Sequence, residues 1–358
     1  MSKNKKTDSS RRGEIIDIYQ EPDLVLTEIE TDNPYEFRIE MEGPSIDHGV
    51  VNAVRRSISM YVPVYAFNRI NTIVDFKKSK HMYNNDLIYN QLETLPIFDV
   101  PNLFDLENPK IFLPTEVFKK LFGNFIPEKY TYETETEIED FEPKKKLLKI
   151  ELLINYKNET ALDKYLTTHD VVLKIDGKIS KSYLNRDPIS ILVLKPNEEL
   201  HLKSEANLGI NKIHGSYEAT TIVVHNEITP TKYVLWYETL GQLDKKVIFV
   251  KACIILMKKL ENLRNFLKEN YKDKNVTSQV EIELYGEDHT IGVLLETVLQ
   301  RCEKIMTAAY NMPHLFIDKV IIMYQIFDNV KENPIEILKD CISYLIKIFQ
   351  FMIREMSN

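Results

Sequence analysis

Two stretches of this sequence share one layout, an alternating strand, a glycine and an amphipathic helix, and this duplication limits the fold more than any other feature. In the second copy, a strand over 278–285 precedes Gly286 and a helix over 290–305. In the first copy, a strand precedes Gly43 and a helix over 45–61. Each copy has one apolar face, because its apolar residues alternate along the strand and recur every three or four positions along the helix. Neither copy is large enough to bury that face alone, and we predict that the two fold against each other.

Two longer helices are predicted from a seven-residue apolar repeat, one over 244–270 and one over 334–356. The second opens with Asn333 as a cap and Pro334 in the first turn. Apolar spacings that alternate between three and four positions are typical of a helix that packs against a partner helix. We expect these helices to pair, and the alternative is that each packs only on its own sheet. The predicted contact residues are Phe249, Cys253, Leu256, Leu260, Leu263 and Leu267 in the first helix and Leu338, Ile342, Leu345 and Phe349 in the second.

The two short helices are expected to extend the same contact through their apolar stripes. His289 stands at the start of the second short helix, where a capping or interface role is favoured over catalysis. The predicted contact residues are Val50, Val54 and Ile58 in the first short helix and His289, Thr290, Ile291, Leu294 and Leu295 in the second.

The remaining pattern divides the chain into further segments and predicts an α+β fold. Several short alternating strands, with turn signals such as Asp176-Gly177, lie between the first copy and its long helix and indicate a β-rich insertion. Each of the two modules is expected to contain an antiparallel sheet and two helices. The predicted boundaries are 1–20 for a flexible basic tail, 21–80 and 225–270 for the first module, 81–224 for the insertion, 271–277 for a linker and 278–358 for the second module.

The composition argues against several classes of function. A formal net charge of -8 over 358 residues does not fit a chain that holds nucleic acid by its overall field. The basic tail could touch phosphates, and a solvated tail is the alternative. No apolar run approaches the roughly 18–20 residues that cross a bilayer. The three cysteines are far apart, which fits buried positions in an intracellular reducing compartment and gives no zinc-ligand spacing.

The sequence contains none of the motifs that would indicate a reaction centre. It has no glycine-rich phosphate loop, no HExxH zinc motif and no GxSxG nucleophile elbow. No closely spaced run of aspartates is available for the two metal ions of nucleotidyl transfer. We therefore predict no catalytic residue, no metal and no cofactor, and a binding or structural role. An enzyme with an unrecognised site in the insertion is the remaining alternative.

The stretch that joins the second strand to its helix resembles a known family. EDHTIGVLL at 287–295 is similar to the signature of the eleventh subunit of cellular RNA polymerase II and of the archaeal L subunit. AAYNMPH at 308–314 and NPIEILKDC at 333–341 resemble later parts of the same family. Val293 stands where the family usually has asparagine, and Glu296 stands near a position that is often basic. These departures concern local contacts and leave the expected fold unchanged.

The front half resembles a second type of polymerase subunit. VNAVRR at 51–56 is similar to the N-x-LRR helix of the third-largest subunit, the archaeal D subunit and the bacterial alpha subunit. HMYNNDLIYNQLETLPI at 81–97 follows, as it does in that family. The same family has a segment of the pattern A-x-x-G-x-x-K-x-H, and this chain matches it at Ala206, Gly209, Lys212 and His214.

Together the motifs resemble a fused third-plus-eleventh-type subunit of a multisubunit DNA-directed RNA polymerase, of the kind found in large cytoplasmic DNA viruses. The resemblance implies a non-catalytic assembly platform whose Asn52, Arg55 and Arg56 face the large subunits. The alternative is that the two arginines are simply solvated. A stand-alone structural or interaction protein with the same two-module fold is the rival function.

The resemblance also implies particular partners and a location. The partners would be the largest and second-largest subunits and a small zinc-binding subunit of the tenth-subunit type. DNA would be reached only through the complex, with no membrane involved, and a viral chain would be found in host cytoplasm and virion. Some homologues of the third subunit hold a metal through cysteines in the insertion; this chain has no cysteine before Cys253, so we predict none here.

Overall fold

The computed structural model describes residues 14–75, 77–100, 115–122, 148–271, 278–314 and 316–357. The described helices are α1 (His48–Met60), α2 (Asn85–Glu93), α3 (Thr115–Phe122), α4 (Lys245–Asn270), α5 (His289–Arg301) and α6 (Pro334–Ser357). The described strands are β1 (Val25–Glu28), β2 (Glu36–Glu42), β3 (Val64–Val74), β4 (Ile150–Lys157), β5 (Lys164–Thr167), β6 (Val172–Ile175), β7 (Lys178–Ile179), β8 (Ser190–Leu194), β9 (Glu199–Gly209), β10 (Thr220–Thr229), β11 (Lys232–Thr239), β12 (Gln279–Tyr285), β13 (Ile305–Asn311) and β14 (Lys319–Ile326). The predicted α+β composition with antiparallel sheets is confirmed.

The first copy of the layout is built on a four-stranded antiparallel sheet in the order β1-β2-β11-β10. Buried residues alternate with half-buried or exposed ones along β2 and β11, as expected of a sheet with one face on the core and the other towards solvent. Phe37 lies opposite Tyr237 in this register, and both rings are buried. Helix α1 contacts β10 and β11. Its N-cap is Asp47, whose carboxylate accepts from the Val50 backbone N–H at 2.9 Å.

The second copy is built on a three-stranded antiparallel sheet in the order β12-β14-β13, with α5 packed on β13 and β14. After α5 the sequence pattern predicts one strand, over 314–327; it corresponds to β14 but begins too early, and β13 was not predicted. The predicted helix over 290–305 also ends too late. Its last residue is Arg301, since Cys302 has an extended backbone and Ile305 already begins β13.

The insertion forms a separate antiparallel sheet in the order β3-β9-β4-β6-β7, with β5 and β8 paired beside it. Two predicted boundaries are therefore wrong. Strand β3 was assigned to the first module but pairs with β9, from Val64 opposite Gly209 to Val74 opposite Leu202. The first half of strand β10 was assigned to the insertion, but the strand pairs along its length with β11 of the first sheet. Alternation of apolar residues predicts that a segment is a strand, and it does not show which sheet accepts it.

Two hydrophobic cores result, and α4 lies between them. The larger core combines residues of both copies, among them Phe37 of β2 and Ile282 of β12. The second core lies in the insertion. Cys253 of α4 belongs to the first core and Ile255 to the second, which explains why α4 is buried on almost every side through its central turns.

The predicted tail is shorter than expected. Residues 14–20 lie against the second copy, where Ile16 and Ile18 are buried in the larger core. Most of the predicted linker, at 272–277, and the basic residues at 3–12 fall outside the described residues. In the described part of the chain, no helix combines the length and apolar character needed to cross a membrane.

Candidate functional site

The two long helices lie against each other, and their apolar repeats are buried. Helix α4 contacts α6 along its length. Arg264 of α4 also donates to Ser343 Oγ of α6 at 3.2 Å. The buried positions include every predicted contact residue of this helix pair, namely Phe249, Cys253, Leu256, Leu260, Leu263, Leu267, Leu338, Ile342, Leu345 and Phe349.

The short helices α1 and α5 also meet, and a glycine permits their close approach. A Cβ atom at Gly49 of α1 would lie 2.6 Å from the Thr297 hydroxyl of α5. Any side chain at Gly49 would therefore force the helices apart. The predicted contact residues Val50, Val54, Ile58, Thr290, Ile291, Leu294 and Leu295 are all buried.

His289 does not lie in this contact. Its side chain is exposed, and its Nδ1 atom lies 3.1 Å from the hydroxyl of Tyr310 in the same copy. The prediction of an interface role between the copies is therefore wrong for this residue. The first position of a helix projects where the preceding loop directs it, and the apolar spacing of the helix does not determine that direction.

Asp288 is the centre of a polar junction between the front and back halves of the chain. Its Oδ2 atom accepts from Tyr61 Oη at 2.9 Å and from Lys212 Nζ at 2.8 Å. Its Oδ1 atom accepts from the Thr290 backbone N–H at 2.8 Å and so caps α5. Arg56 donates from Nε to Thr290 Oγ1 at 2.8 Å and brings Nη2 to 3.5 Å from Asp288 Oδ2. We call these five residues the Asp288 junction.

The charge on Asp288 is stabilised within the junction. Burial by itself would raise the pKa of this carboxyl group. The positive charge and hydrogen bond of Lys212, together with the hydrogen bonds from Thr290, outweigh burial and hold the pKa of Asp288 well below its usual range. Burial and the nearby charges of Asp288 and Glu287 raise the pKa of Tyr61, so its phenol stays protonated and donates.

A buried ion pair lies beside the junction. Lys259 of α4 donates to both carboxylate oxygens of Glu287, at 2.8 and 3.0 Å, and each side chain is 1% exposed. The Lys259 ammonium also lies 5.2 Å from the ring centroid of Tyr61, within range of a cation–π interaction. Two adjacent acidic residues of the resemblance motif, Glu287 and Asp288, therefore contact the front half separately.

A second polar contact joins the halves at the other end of α5. Arg301 donates to Asp47 Oδ2 at 2.6 Å, and it also donates to the Pro44 carbonyl. The same Asp47 carboxylate caps α1. Sequence reasoning missed this contact, because a basic residue in the last turn of a helix is common and favourable without any tertiary partner.

Residues 14–21 form an N-terminal strap across the second copy. Ile16 forms a parallel bridge with Cys302 and donates from its backbone N–H to the Arg301 carbonyl at 3.0 Å. Tyr19 Oη donates to Asp340 of α6 at 3.1 Å. Glu21 pairs with Lys347, also of α6, at 2.8 Å. Charge and composition predicted a solvated segment here, and the short pattern I-x-I was the one available signal of burial.

The three residues predicted to face the large subunits lie in two different environments in the structure. Arg56 points into the Asp288 junction and is used within the chain. Arg55 instead donates from Nε and Nη2 to Asn52 Oδ1, at 3.0 and 2.9 Å. Both side chains remain partly exposed. Among the described residues, Arg55 has no carboxylate partner. Burial, and then the nearby charge of Arg56, lower the pKa of Arg55.

The polar groups of the Asp288 junction satisfy one another, which is the chemistry of an interface. The described residues contain no group of three or more His, Cys, Asp or Glu side chains placed to hold a metal ion.

Comparison with known proteins identifies the class. A family model described as the RNA polymerase Rpb3/Rpb11 dimerisation domain matches residues 279–355, from β12 to α6. An Acanthamoeba polyphaga mimivirus protein, provisionally named DNA directed RNA polymerase subunit R470, is 54% identical over 351 residues and is matched across 98% of both chains. Subunit Rpo11 of the DNA-directed RNA polymerase of Saccharolobus solfataricus is 39% identical over 49 residues, which cover 14% of this chain and 53% of that protein.

A relative that is more than half identical along nearly the whole chain shows the family. This chain belongs to the Rpb3/Rpb11-type subunits of DNA-directed RNA polymerase, which are non-catalytic subunits of the enzyme complex. The resemblance read from the motifs is confirmed, and a stand-alone protein outside transcription is no longer a competing class.

Proposed function

We propose that this subunit is an assembly platform, in which two modules paired within one chain nucleate binding of the large catalytic subunits. The observation that carries the proposal is the convergence at Asp288 of side chains from separate motifs. Arg56 comes from the motif that resembles the third-largest subunit, as does Lys212, and Asp288 comes from the motif that resembles the eleventh. The resemblance implies two separate subunits for these motifs, and here they are parts of one polypeptide.

A fused chain has a physical advantage as a platform. Docking of two separate proteins costs about 4–15 kcal/mol in lost translational and rotational freedom. A short covalent connection removes much of that cost by raising the effective concentration of one module near the other. The platform would therefore be complete as soon as the chain has folded, at any concentration of the other subunits.

The proposed partners are the largest and second-largest polymerase subunits, with a small zinc-binding subunit of the tenth-subunit type. Arg55 and Asn52 remain the proposed contacts with a large subunit, because the Arg55 guanidinium presents donors without a carboxylate inside the described chain. DNA would be contacted only through the complex. Since the relative that matches 98% of this chain is viral, we also propose that the subunit acts in host cytoplasm and is carried in the virion.

The proposal is tested by expressing the tagged chain together with the two large subunits of its own polymerase. We expect both large subunits to be recovered with the tag and the purified complex to incorporate nucleotides into RNA. Recovery of the tagged chain without either large subunit, from cells that contain both in soluble form, would contradict the proposal.

Substitutions of the two neighbouring arginines separate the outward contact from the internal one. Arg55→Ala should leave thermal unfolding unchanged and lower recovery of the large subunits. Arg56→Ala should lower the unfolding temperature, because it removes the donor to Thr290. Arg69→Ala is the matched control for recovery, since Arg69 is an exposed arginine that pairs with Asp86 in the insertion. Equal recovery with Arg55→Ala and Arg69→Ala would remove Arg55 from the interface.

A further inference from the structure

In the described part of the chain, strand β10 is a free edge of the first sheet. It pairs with β11 on one side and is the last strand in the order β1-β2-β11-β10. Within the described residues, no backbone hydrogen bond from another element reaches the open side of its central segment, Ile222–Glu227. Both register irregularities of β10 lie outside this segment, so six residues form a regular ladder. Such an edge presents a row of backbone donors and acceptors to any extended chain.

The central segment of this edge, between the two register irregularities, lacks the residue types that commonly protect an edge against strand addition. Natural edges are commonly short or carry lysine or proline. Strand β10 is ten residues long and contains neither residue type. Strand β1, at the opposite edge of the same sheet, has four residues, and β7, at an edge of the insertion sheet, has two, one of them Lys178. Ile222 and Ile228 of β10 are 46% and 58% exposed.

The two sides of this edge differ in chemistry. On the outer face, Ile222 and Val224 are exposed, and Val224 lies opposite Trp236 of β11. The inner face turns towards α1, which contacts β10. There the rings of His225 and His48 lie 5.5 Å apart, and the buried Nδ1 atom of His225 has no hydrogen-bond partner among the described residues.

Arg55 adds a positive charge to the inner side. It lies on α1 two turns after His48, so both project from the same side of the helix. Burial, then the charges of His48 and Arg55, lower the pKa of His225 against the opposing effect of Glu227. A chain that adds to β10 would therefore meet aliphatic side chains on one face. On the other it would meet the basic groups of Arg55, His48 and His225, with one carboxylate, Glu227, at the end of the segment.

We propose that β10 accepts an extended segment of a large polymerase subunit as a fifth strand. The segment would alternate aliphatic residues, which cover Ile222 and Val224, with an acidic residue that pairs with Arg55 beside His48 and His225. Backbone hydrogen bonds would supply affinity, and the alternating side chains would supply register and specificity. This inference rests on the proposed platform function, because it places the partner strand on a large subunit and extends the Arg55 contact to the neighbouring sheet edge.

The test compares amide hydrogen exchange of β10 in the isolated chain and in the assembled polymerase. In the isolated chain, amides that face β11 should exchange slowly, and those that face the open edge should exchange quickly. In the complex, peptides covering Ile222–Glu227 should become protected by at least tenfold. An assembled polymerase in which exchange over this segment is unchanged would overturn the inference and leave the platform function standing. A chain that recovers no large subunit would instead contradict the platform function.

A substitution gives an independent readout. The paired change Ile222→Lys and Val224→Lys places two charges on the outer face, where the isolated fold has room for them. It should leave thermal unfolding of the isolated chain unchanged and lower recovery of the large subunits at least tenfold. Ile179→Lys is the control, because Ile179 is 68% exposed on edge strand β7 of the other sheet. Full recovery with the β10 variant would overturn the inference.

Discussion

Lys212 Nζ lies 2.8 Å from Asp288 Oδ2, although the two residues are 76 positions apart and belong to motifs that resemble different polymerase subunits. The contact explains why an acidic residue follows Glu287 at a corner between strand and helix. Asp288 caps its own helix with one oxygen and binds the front half of the chain with the other. A neutral cap such as serine would satisfy the helix but would leave the Lys212 ammonium only the more distant Asp318 carboxylate, at 3.6 Å.

Asp288→Asn should destabilise the chain by about 1.5–3 kcal/mol, because it removes the charged acceptor of Lys212 and Tyr61 and leaves Lys212 only the Asp318 carboxylate, 3.6 Å away. The free energy of unfolding, measured by urea denaturation, gives the value. Asp86→Asn is the control, since Asp86 forms an exposed pair with Arg69 and its loss should cost less than about 1 kcal/mol. Equal stability of the two variants would show that the Asp288 junction does not hold the halves together.

The contribution of Asp288 should depend on pH in one direction. Its folded pKa lies below the unfolded value, which is about 3.9. The stabilisation is therefore fully present above that pH and is lost as the pH falls towards the folded pKa. We expect the difference in unfolding free energy between the native chain and Asp288→Asn to be constant from pH 8 to about pH 5 and to shrink below about pH 4. A difference that grows on acidification would contradict the assigned charge state.

Lys259→Met should be strongly destabilising, by about 3–5 kcal/mol, because it breaks a buried ion pair by removing one of its two charges. The double variant Lys259→Met with Glu287→Leu should recover much of that loss, since removal of both charges eliminates the desolvation cost. Unfolding free energies of the four chains form a double-mutant cycle. Additive losses in the double variant would show that the two side chains do not interact.

The N-terminal strap should stabilise the second copy. Deletion of residues 1–20 removes Ile16 and Ile18 from the core and should lower the free energy of unfolding by about 3–6 kcal/mol, at about 1.5–3 kcal/mol for each buried side chain. Deletion of residues 1–13 is the control and should have little effect. Hydrogen exchange of the Cys302 backbone N–H, which donates to the Leu299 carbonyl, gives a local readout, because Cys302 lies beside Ile16 in a parallel bridge. Two deletions with the same unfolding curve would leave the strap without a structural role.

The sequence was most informative where a period repeats over many residues. The seven-residue repeats at 249–267 and 338–349 predicted which faces of α4 and α6 are buried, because a regular apolar stripe has no stable alternative to burial. The family resemblance could also be recognised from the sequence, because several residues of the family signature occur together in EDHTIGVLL at 287–295.

The junction itself was not predictable from the sequence. The ion pair beside it was not predictable either, because Lys259 follows Lys258 in α4 and a lysine there is ordinarily expected at the surface. Burial became possible only because the fold brings Glu287 to 2.8 Å. Arg55 and Arg56 are adjacent and of the same type, so their different destinations depend on the position of Thr290 in the folded chain. The assignment of β3 and β10 to sheets depended in the same way on which neighbours were available.

That the two copies form one pre-paired body is tested most directly by cutting the chain between them. A protease site placed within residues 272–277 would separate the front and back halves after folding. We expect the cleaved halves to co-elute on size exclusion at micromolar concentration, and to separate when the cut chain also carries Leu260→Asp, which buries an unpaired charge between α4 and α6. Cleaved halves of the native sequence that elute as two independent proteins would contradict the pairing and the platform built on it.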